Sequence, residues 1–355
     1  MQNENKRSGG LSGRKGALWT LAFVVIAAAS IWAITTQVRG FSPASFMESL
    51  RGASVFWLLL GAVCMLAHIF LEGRALLVIC RGFGYARRGG DGFAYASADI
   101  YFSAITPSAT GGQPASAFFM MRDGIPGSVS TVALLVNLTM YTLSIVVIGL
   151  FCFIARPGIF LNFSPFARVM IALGGAVQCG LTLLILMLLK KDALLHRICD
   201  GALKLLARLR ILRCLERRRE KLRASFESYR ASVMQAAGQR GMLIRAFLCN
   251  LLQRAALIGV TMCVFRALGG AVERMLDAWA VQGFSVLGYN FVPIPGAMGV
   301  ADLMLLDGFG QMMERQSAMN LELLSRAISF YSCILICGAT IVLKYLMQKV
   351  RKTKV

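Results

Sequence analysis

The sequence predicts an all-α polytopic membrane protein with about six full spans and two Pro/Gly-broken re-entrant hairpins in an inverted-repeat arrangement. Of its 355 residues, 57% are hydrophobic and the mean hydropathy is +0.65, which exceeds the values of ordinary soluble proteins. Six stretches approach or exceed the roughly 20 apolar residues that cross a hydrocarbon core. Two more apolar stretches are interrupted by proline and glycine. At membrane depth such backbone is tolerated only when protein buries it or when it lines a wet cavity.

The six apolar stretches are 17–36, 54–73, 128–154, 167–189, 243–268 and 323–347. A basic segment precedes the first, as in a signal peptide. Its apolar run is too long for a typical signal sequence, and no clear small-x-small cleavage site follows it. We therefore predict that it is a retained helix.

The placement of basic residues predicts the orientation. The formal net charge is +21, and residues 190–241 hold 14 Lys/Arg against five Asp/Glu. Lys/Arg-rich loops stay in the cytoplasm and attract anionic headgroups, so the expected partner is the membrane surface rather than nucleic acid. We predict a basic cytoplasmic N-terminus (1–16), membrane halves at 17–189 and 242–347, a basic amphipathic cytoplasmic segment (190–241) and a basic cytoplasmic tail (348–355). For the 190–241 segment, a coiled-coil surface for a partner is the alternative.

This topology requires the two interrupted stretches, about 92–123 and about 275–316, each to enter and leave on one side of the membrane. The first would enter from inside and the second from outside. Both contain the spacing Pro-x-x-x-Gly, in Pro107 to Gly111 and in Pro295 to Gly299. Such an internal echo is typical of inverted-repeat transporters, whose broken helices hold the substrate near the midplane.

The candidate substrate-binding residues lie mainly at these two breaks. Small polar groups and the N–H groups that begin the following half-helix suit a phosphate-bearing headgroup, although close packing through small residues is an alternative. Ionisable residues within a membrane segment are costly and indicate function, although Asp302 could also lie at the outer interface. The candidates are Thr106, Pro107, Ser108, Gly111, Gly112, Gln113 and Pro114 at the first break, Asn290, Pro293, Pro295, Gly296, Gly299 and Asp302 at the second, and Glu72, Asp99 and Arg254 elsewhere.

Several other classes of function are not indicated. The whole chain has two histidines, His68 and His196, so no His-based metal site is expected and no cofactor is predicted. Most of the ten cysteines lie in apolar spans and no Cys-x-x-Cys occurs, which favours buried thiols over a disulfide framework. Motifs of P-loop ATPases, zinc metalloproteases and α/β-hydrolases do not occur.

Around the two breaks, ITPSATGGQPASAFFMMRDGIP and NFVPIPGAMGVADLML, the chain resembles the lysylphosphatidylglycerol synthase transmembrane region, or flippase-like domain, family. Members have a Pro-x-x-x-Gly-Gly-[Glu/Gln]-Pro-like element and a Pro-x-Pro-Gly-x-x-Gly-x-Ala-[Glu/Asp] element. This sequence has Asp302 where Glu is common and Ala297 where Gly is common. The resemblance covers about residues 18–347.

The resemblance implies a multi-pass protein of the bacterial plasma membrane, with both termini cytoplasmic, that moves an aminoacylated phospholipid such as lysylphosphatidylglycerol to the outer leaflet. That lipid lowers the negative surface charge and gives resistance to cationic antimicrobial peptides. In full-length relatives a separate cytosolic domain makes the lipid from lysyl-tRNA, and the longest non-membrane segment here is too short for such a domain. We therefore expect translocation, with a separate lipid-modifying enzyme as a partner. Lysyltransferase activity, another lipid-linked cargo and a membrane scaffold remain alternatives.

Overall fold

A computed structural model describes residues 43–106, 110–190, 229, 231–236, 238–292, 294, 297 and 299–353. The predicted first span (17–36) and most of the basic segment (190–241) lie outside these residues. Within the described part, every regular element is helical. The prediction of an all-α polytopic membrane protein is therefore confirmed.

Twelve α-helices of the described chain are numbered in chain order. They are α1 (Pro43–Gly52), α2 (Val55–Gly82), α3 (Gly89–Ile105), α4 (Gly112–Arg122), α5 (Gly127–Ala155), α6 (Pro157–Asn162), α7 (Pro165–Lys190), α8 (Arg240–Ala267), α9 (Met275–Tyr289), α10 (Val300–Phe309), α11 (Arg315–Arg326) and α12 (Cys333–Thr353). A 3-10 turn (Val272–Arg274) precedes α9, and a π-helix (Ala327–Ser332) joins α11 to α12. Residues 231–236 are also helical.

Five helical segments in the described part are long and apolar enough to cross a membrane. They are α2, α5, most of α7, α8, and the continuous run from α11 through the π-helix to Met347. Large apolar side chains on these segments are exposed, with Ile154 at 73% and Phe56 at 67%. Exposed apolar faces of this kind suit contact with lipid chains.

Each interrupted stretch of the sequence becomes two short helices on either side of a break. The first helix pair is α3 and α4, with its break at 106–111, and the second is α9 and α10, with its break at 290–299. Each pair is preceded and followed by a long helix. Val300 is 188 positions after Gly112, and Arg315 is 188 positions after Gly127. The two halves therefore repeat the order long, short, short, long in nearly constant register.

Helices α2 and α8 pack antiparallel along their whole length and form the centre of the bundle. At one end the Ser54 N–H donates to the Ala267 carbonyl over 2.9 Å, and at the other the Gln239 side chain donates to the Gly82 carbonyl over 2.6 Å. The pair thus brings one long helix of each half together.

Helices α2 and α3 approach each other backbone to backbone. A Cβ atom added to Gly73 would lie 2.6 Å from the Gly92 carbonyl carbon, and one added to Gly92 would lie 2.7 Å from the Gly73 oxygen. No side chain larger than hydrogen fits at this crossing, which fixes α3 directly on the central helix.

Acidic residues at the open end of each helix pair bind a basic residue of the other half. The Lys344 ammonium lies 2.5 Å from a carboxylate oxygen of Asp91 and 2.8 Å from one of Asp123. The Arg156 guanidinium lies 2.7 Å from Asp277, at the start of the second pair. Lys344 is near the basic tail and Arg156 is at the far end of α5, so the two pairs open toward opposite ends of the bundle.

Candidate functional site

The first break is closed by the hydroxyl group of Thr106. This hydroxyl donates to the Phe102 carbonyl over 2.6 Å and accepts from the Gly111 N–H over 2.9 Å. One side chain thus satisfies a backbone group on each side of the break, where regular helical hydrogen bonds are lost. The hydroxyl of Thr106 is consequently occupied by the protein itself.

Gly112, the first residue of α4, lies directly against the side chain of Asp99 on α3. A Cβ atom at Gly112 would overlap the Asp99 carboxylate and the Ser103 hydroxyl, and the Ser103 hydroxyl donates to Asp99 over 3.2 Å. The carboxylate therefore meets the N-terminal end of α4, where the helix dipole favours negative charge. Only glycine permits this approach at Gly112.

Glu72 on α2 is buried and faces the same interior. Its carboxylate accepts a hydrogen bond of 3.1 Å from the Gln253 amide on α8, and it lies within electrostatic range of Asp99 and Arg254. His68, one turn earlier, is 6% exposed, and its Nδ1 has no hydrogen-bond partner. Two carboxylates from the first half and an arginine from the second half therefore share one interior region.

An aromatic ring positions the guanidinium group of Arg254, which lies on α8. Its guanidinium carbon lies 3.9 Å from the centroid of the Tyr141 ring, a cation–π geometry. The Tyr141 hydroxyl in turn donates to the Asn290 side chain over 3.1 Å. The Arg254 Nε is buried without a hydrogen-bond partner. We call Glu72, Asp99, Arg254, Tyr141 and Asn290 the central cluster.

The second break contains two residues with left-handed backbone conformations. Gly299 has φ +82° and ψ −52°, and Ala297 has φ +49°. The Gly299 N–H donates to the Asp302 carboxylate over 2.9 Å, so Asp302 caps the start of α10. This half-buried carboxylate, which the sequence placed either at a site or at the outer interface, faces into the protein.

Asp302 belongs to a second charged group, the triad of Asp302, Glu322 and Arg326. The Arg326 guanidinium pairs with Asp302 and donates to Glu322 through its Nε over 2.5 Å. Glu322 is 2% exposed and Arg326 is 7% exposed, so one buried and one half-buried carboxylate share a single buried cation. The π-helix begins at the next residue, Ala327, and such helical defects are frequent at functional sites.

Tyr289 lies between the central cluster and the triad. Its hydroxyl accepts from Gln282 over 3.2 Å, and Gln282 accepts from Thr261 over 3.1 Å. It interacts electrostatically with both Arg254 and Arg326. Tyr289 is therefore within electrostatic range of both charged groups in the interior of the bundle.

A comparison with models of known protein families identifies the transmembrane region of lysylphosphatidylglycerol synthase over residues 19–337. The chain belongs to this family. The match extends over both halves and both breaks, so the central cluster and the triad lie within the family region. Among curated proteins, none matches this chain.

The family's two sequence elements account for part of the site as the structure places it. Thr106, Gly111 and Gly112 meet at the first break, and Glu72, Asp99, Arg254 and Asn290 come together in the central cluster. Gly299 and Asp302 lie together at the second break, but with the triad rather than with Glu72 and Asp99. Gln113 is half-buried and Pro114 is exposed on the first turn of α4. Pro107, Ser108, Pro293, Pro295 and Gly296 lie outside the described residues.

The sequence reasoning missed four polar residues, two that contact the central cluster and two that belong to the triad. These are Tyr141, Gln253, Glu322 and Arg326. For the last two a signal was present, because they are charged, stand four residues apart and lie at the start of a predicted span. For Tyr141 and Gln253 the sequence contained no such signal, since a single uncharged polar residue in an apolar helix does not by itself indicate a site.

Proposed function

We propose that this chain translocates a phospholipid with a charged headgroup across the membrane, and that an aminoacylated phospholipid such as lysylphosphatidylglycerol is its cargo. The observation that supports this most is the central cluster. Glu72, Asp99 and Arg254 come from three helices and from both halves, and they lie inside a bundle of membrane-spanning helices. Charged groups at such a depth are costly and mark substrate pathways.

The charges of the cluster match the parts of such a headgroup. The carboxylates of Glu72 and Asp99 would attract a lysyl ammonium group, and the Arg254 guanidinium would bind the phosphate, since its planar fork suits phosphate oxygens. The N-terminal end of α4 already faces Asp99, which disfavours a phosphate there. The phosphate is therefore better assigned to Arg254 than to the helix start. The acyl chains would remain in the lipid.

A lipid-sidedness assay tests this proposal. The purified chain is reconstituted in liposomes with labelled lysylphosphatidylglycerol, and label accessible from outside is followed with time. Glu72→Gln and Asp99→Asn are expected to slow exposure of the label at least tenfold, whereas Glu314→Gln, at an exposed position, serves as the matched control. Equal rates in all three variants would remove the central cluster from the mechanism, and no transport by the unsubstituted chain would remove translocation of this lipid.

The description of the family also names synthesis, which makes lysyl transfer the second candidate. The purified chain is incubated with labelled lysyl-tRNA and phosphatidylglycerol, and lipid-bound label is measured. We expect no transfer. Transfer that survives Arg254→Gln would favour a synthase over a translocase, and tolerance of polar substitutions throughout both breaks would favour a scaffold.

The proposed cargo gives two cellular expectations. We propose that the protein lies in the bacterial plasma membrane with both termini in the cytoplasm, and reporter fusions at each terminus test that orientation. Cells that lack the protein are expected to be more sensitive to cationic antimicrobial peptides and to bind more of a cationic probe at their surface. If only another lipid-linked group changes sidedness in such cells, the cargo is that group.

A further inference from the structure

A cavity lies at the end of the bundle opposite Lys344. It has a volume of about 630 Å³ and is formed by the end of α1, the beginning of α2, the end of α8, the segment that leads to α9 and the beginning of α11 with the residues before it. Ser54 at the start of α2 is hydrogen-bonded to Ala267 at the end of α8, so the two central helices close its floor. By the predicted topology, this end faces away from the cytoplasm.

The cavity carries positive charge that is only partly compensated. The described residues that line it include Arg266 and Arg274, and none of them is acidic. The Arg266 Nε is buried without a hydrogen-bond partner, and its guanidinium lies 5.9 Å from the centroid of the Trp57 ring. An arginine nitrogen that is buried and lacks an acceptor favours an anionic ligand, because the lost hydrogen bond is otherwise not replaced.

Arg274 is only partly satisfied by the protein. It donates to the Met312 carbonyl over 3.2 Å, while the carboxylate that pairs with it, Asp277, is 3.9 Å away. Asp277 is also bound by Arg156 at 2.7 Å. One carboxylate therefore faces two guanidinium groups beside the cavity, and Arg266 adds a third cation nearby.

The surroundings of the cavity favour a lipid over a soluble anion. Val55, Phe56 and Val272 adjoin its lining residues and are 66%, 67% and 56% exposed. Apolar side chains exposed at the end of membrane-spanning helices would contact acyl chains, and Trp57 is a residue type enriched at the membrane interface. A volume of this size also suits a headgroup.

We propose that this cavity binds the phosphodiester headgroup of an anionic phospholipid in the leaflet at this end of the bundle. Arg266 and Arg274 bind the phosphate oxygens, and the acyl chains lie along the exposed face of α2. The site is separate from the central cluster and does not depend on translocation.

Lipid binding by the purified full chain tests the proposal. Native mass spectrometry measures the retention of phosphatidylglycerol and of phosphatidylcholine, with inorganic phosphate added as a competitor in a third arm. Phosphatidylglycerol is expected to be retained preferentially. Arg266→Gln and Arg274→Gln are each expected to weaken that retention about tenfold, because each removes a charge-assisted contact to phosphate.

Two further variants separate the possible outcomes. Arg315→Gln, an exposed cation on α11 that does not line the cavity, is expected to leave retention unchanged, while Arg266→Lys is expected to keep most of it. Equal retention in Arg266→Gln and Arg315→Gln would overturn the proposal, and so would full displacement by inorganic phosphate, which would indicate a free-phosphate site. Arg274→Gln keeps the test valid if Arg266→Gln does not fold.

Discussion

The guanidinium of Arg254 stacks on the ring of Tyr141, with 3.9 Å between the guanidinium carbon and the ring centroid. A ring, rather than a carboxylate, holds this arginine in place, and in a desolvated setting such a contact is worth about 2 kcal/mol. The guanidinium charge interacts with the face of the ring, and this contact uses none of the N–H groups in a conventional hydrogen bond. The arginine is thereby fixed while its Nε, which has no hydrogen-bond partner, stays available for a ligand.

Substitutions at Arg254 and Tyr141 are expected to distinguish the role of the cation from the role of the ring that positions it. Arg254→Gln should lower the lipid transport rate at least tenfold, because it removes the cation of the central cluster. Tyr141→Leu should lower it nearly as much by removing the ring, whereas Tyr141→Phe keeps the ring and loses only the hydrogen bond to Asn290. Transport rates in liposomes measure all three effects. If Tyr141→Phe is as slow as Tyr141→Leu, the hydroxyl and not the ring is what matters.

The triad gives a prediction on stability. Arg326→Gln leaves the buried Glu322 and the half-buried Asp302 without their cation, and removal of one partner from a buried ion pair costs about 3–5 kcal/mol. Unfolding in detergent, followed by helical circular dichroism, measures the loss. Arg315→Gln, on the same helix but exposed, should change the free energy of unfolding by less than about 0.5 kcal/mol. Similar values for the two variants would mean that the triad is not closed as described.

Replacement of Ala297 by glycine should stabilise the protein. Its φ of +49° is left-handed, and this conformation costs a residue with a Cβ atom roughly 1–2 kcal/mol. Ala297→Gly is expected to raise the free energy of unfolding by about 0.5–1 kcal/mol, since glycine relieves the strain but gains freedom in the unfolded chain. The same substitution at Ala301, inside α10, should lower it by about 1 kcal/mol. A loss of stability at both positions would contradict the backbone conformation of the second break.

Gly112 should tolerate no larger residue. A Cβ atom there would overlap the Asp99 carboxylate, so Gly112→Ala is expected to push α3 and α4 apart and to reduce transport and stability together. Gly180 lies in the middle of α7 with no atom within 4 Å of its added Cβ. Gly180→Ala should therefore stabilise the protein by up to about 1 kcal/mol, as expected for an exposed helical position. Equal effects of the two substitutions on unfolding would show that Asp99 does not pack on Gly112.

Much of the fold is predictable because hydropathy and charge act over long segments. An apolar run of 20 or more residues has few ways to satisfy its backbone in lipid other than a helix, which is why α2, α5, α7 and α8 appear close to their expected positions. The last span differs, since the helix begins at Arg315 rather than near 323. Its first turns carry charged side chains, which lower the mean hydropathy of this stretch. Two of them, Glu322 and Arg326, belong to the triad.

The site is less predictable because its partners come from distant parts of the chain. Glu72 and Arg254 were recognisable as charges within apolar segments, but nothing local indicates that the Glu72 carboxylate is bound by Gln253. Asp302 was recognisable as a charge after the second break, but nothing local indicates that it pairs with Arg326. Such pairings depend on how the helices cross, which one sequence does not specify. The left-handed backbone conformation of Ala297 was likewise visible only in the structure, although the family's preference for glycine at this position is consistent with it.

The contact between Gly73 and Gly92 has a mechanical consequence. Where two helices touch through main-chain atoms, little side-chain freedom is left between them to absorb a displacement. Helices α2 and α3, which carry Glu72 and Asp99, are therefore expected to move together. A headgroup that passes these residues would then meet two carboxylates whose backbone positions keep the same separation.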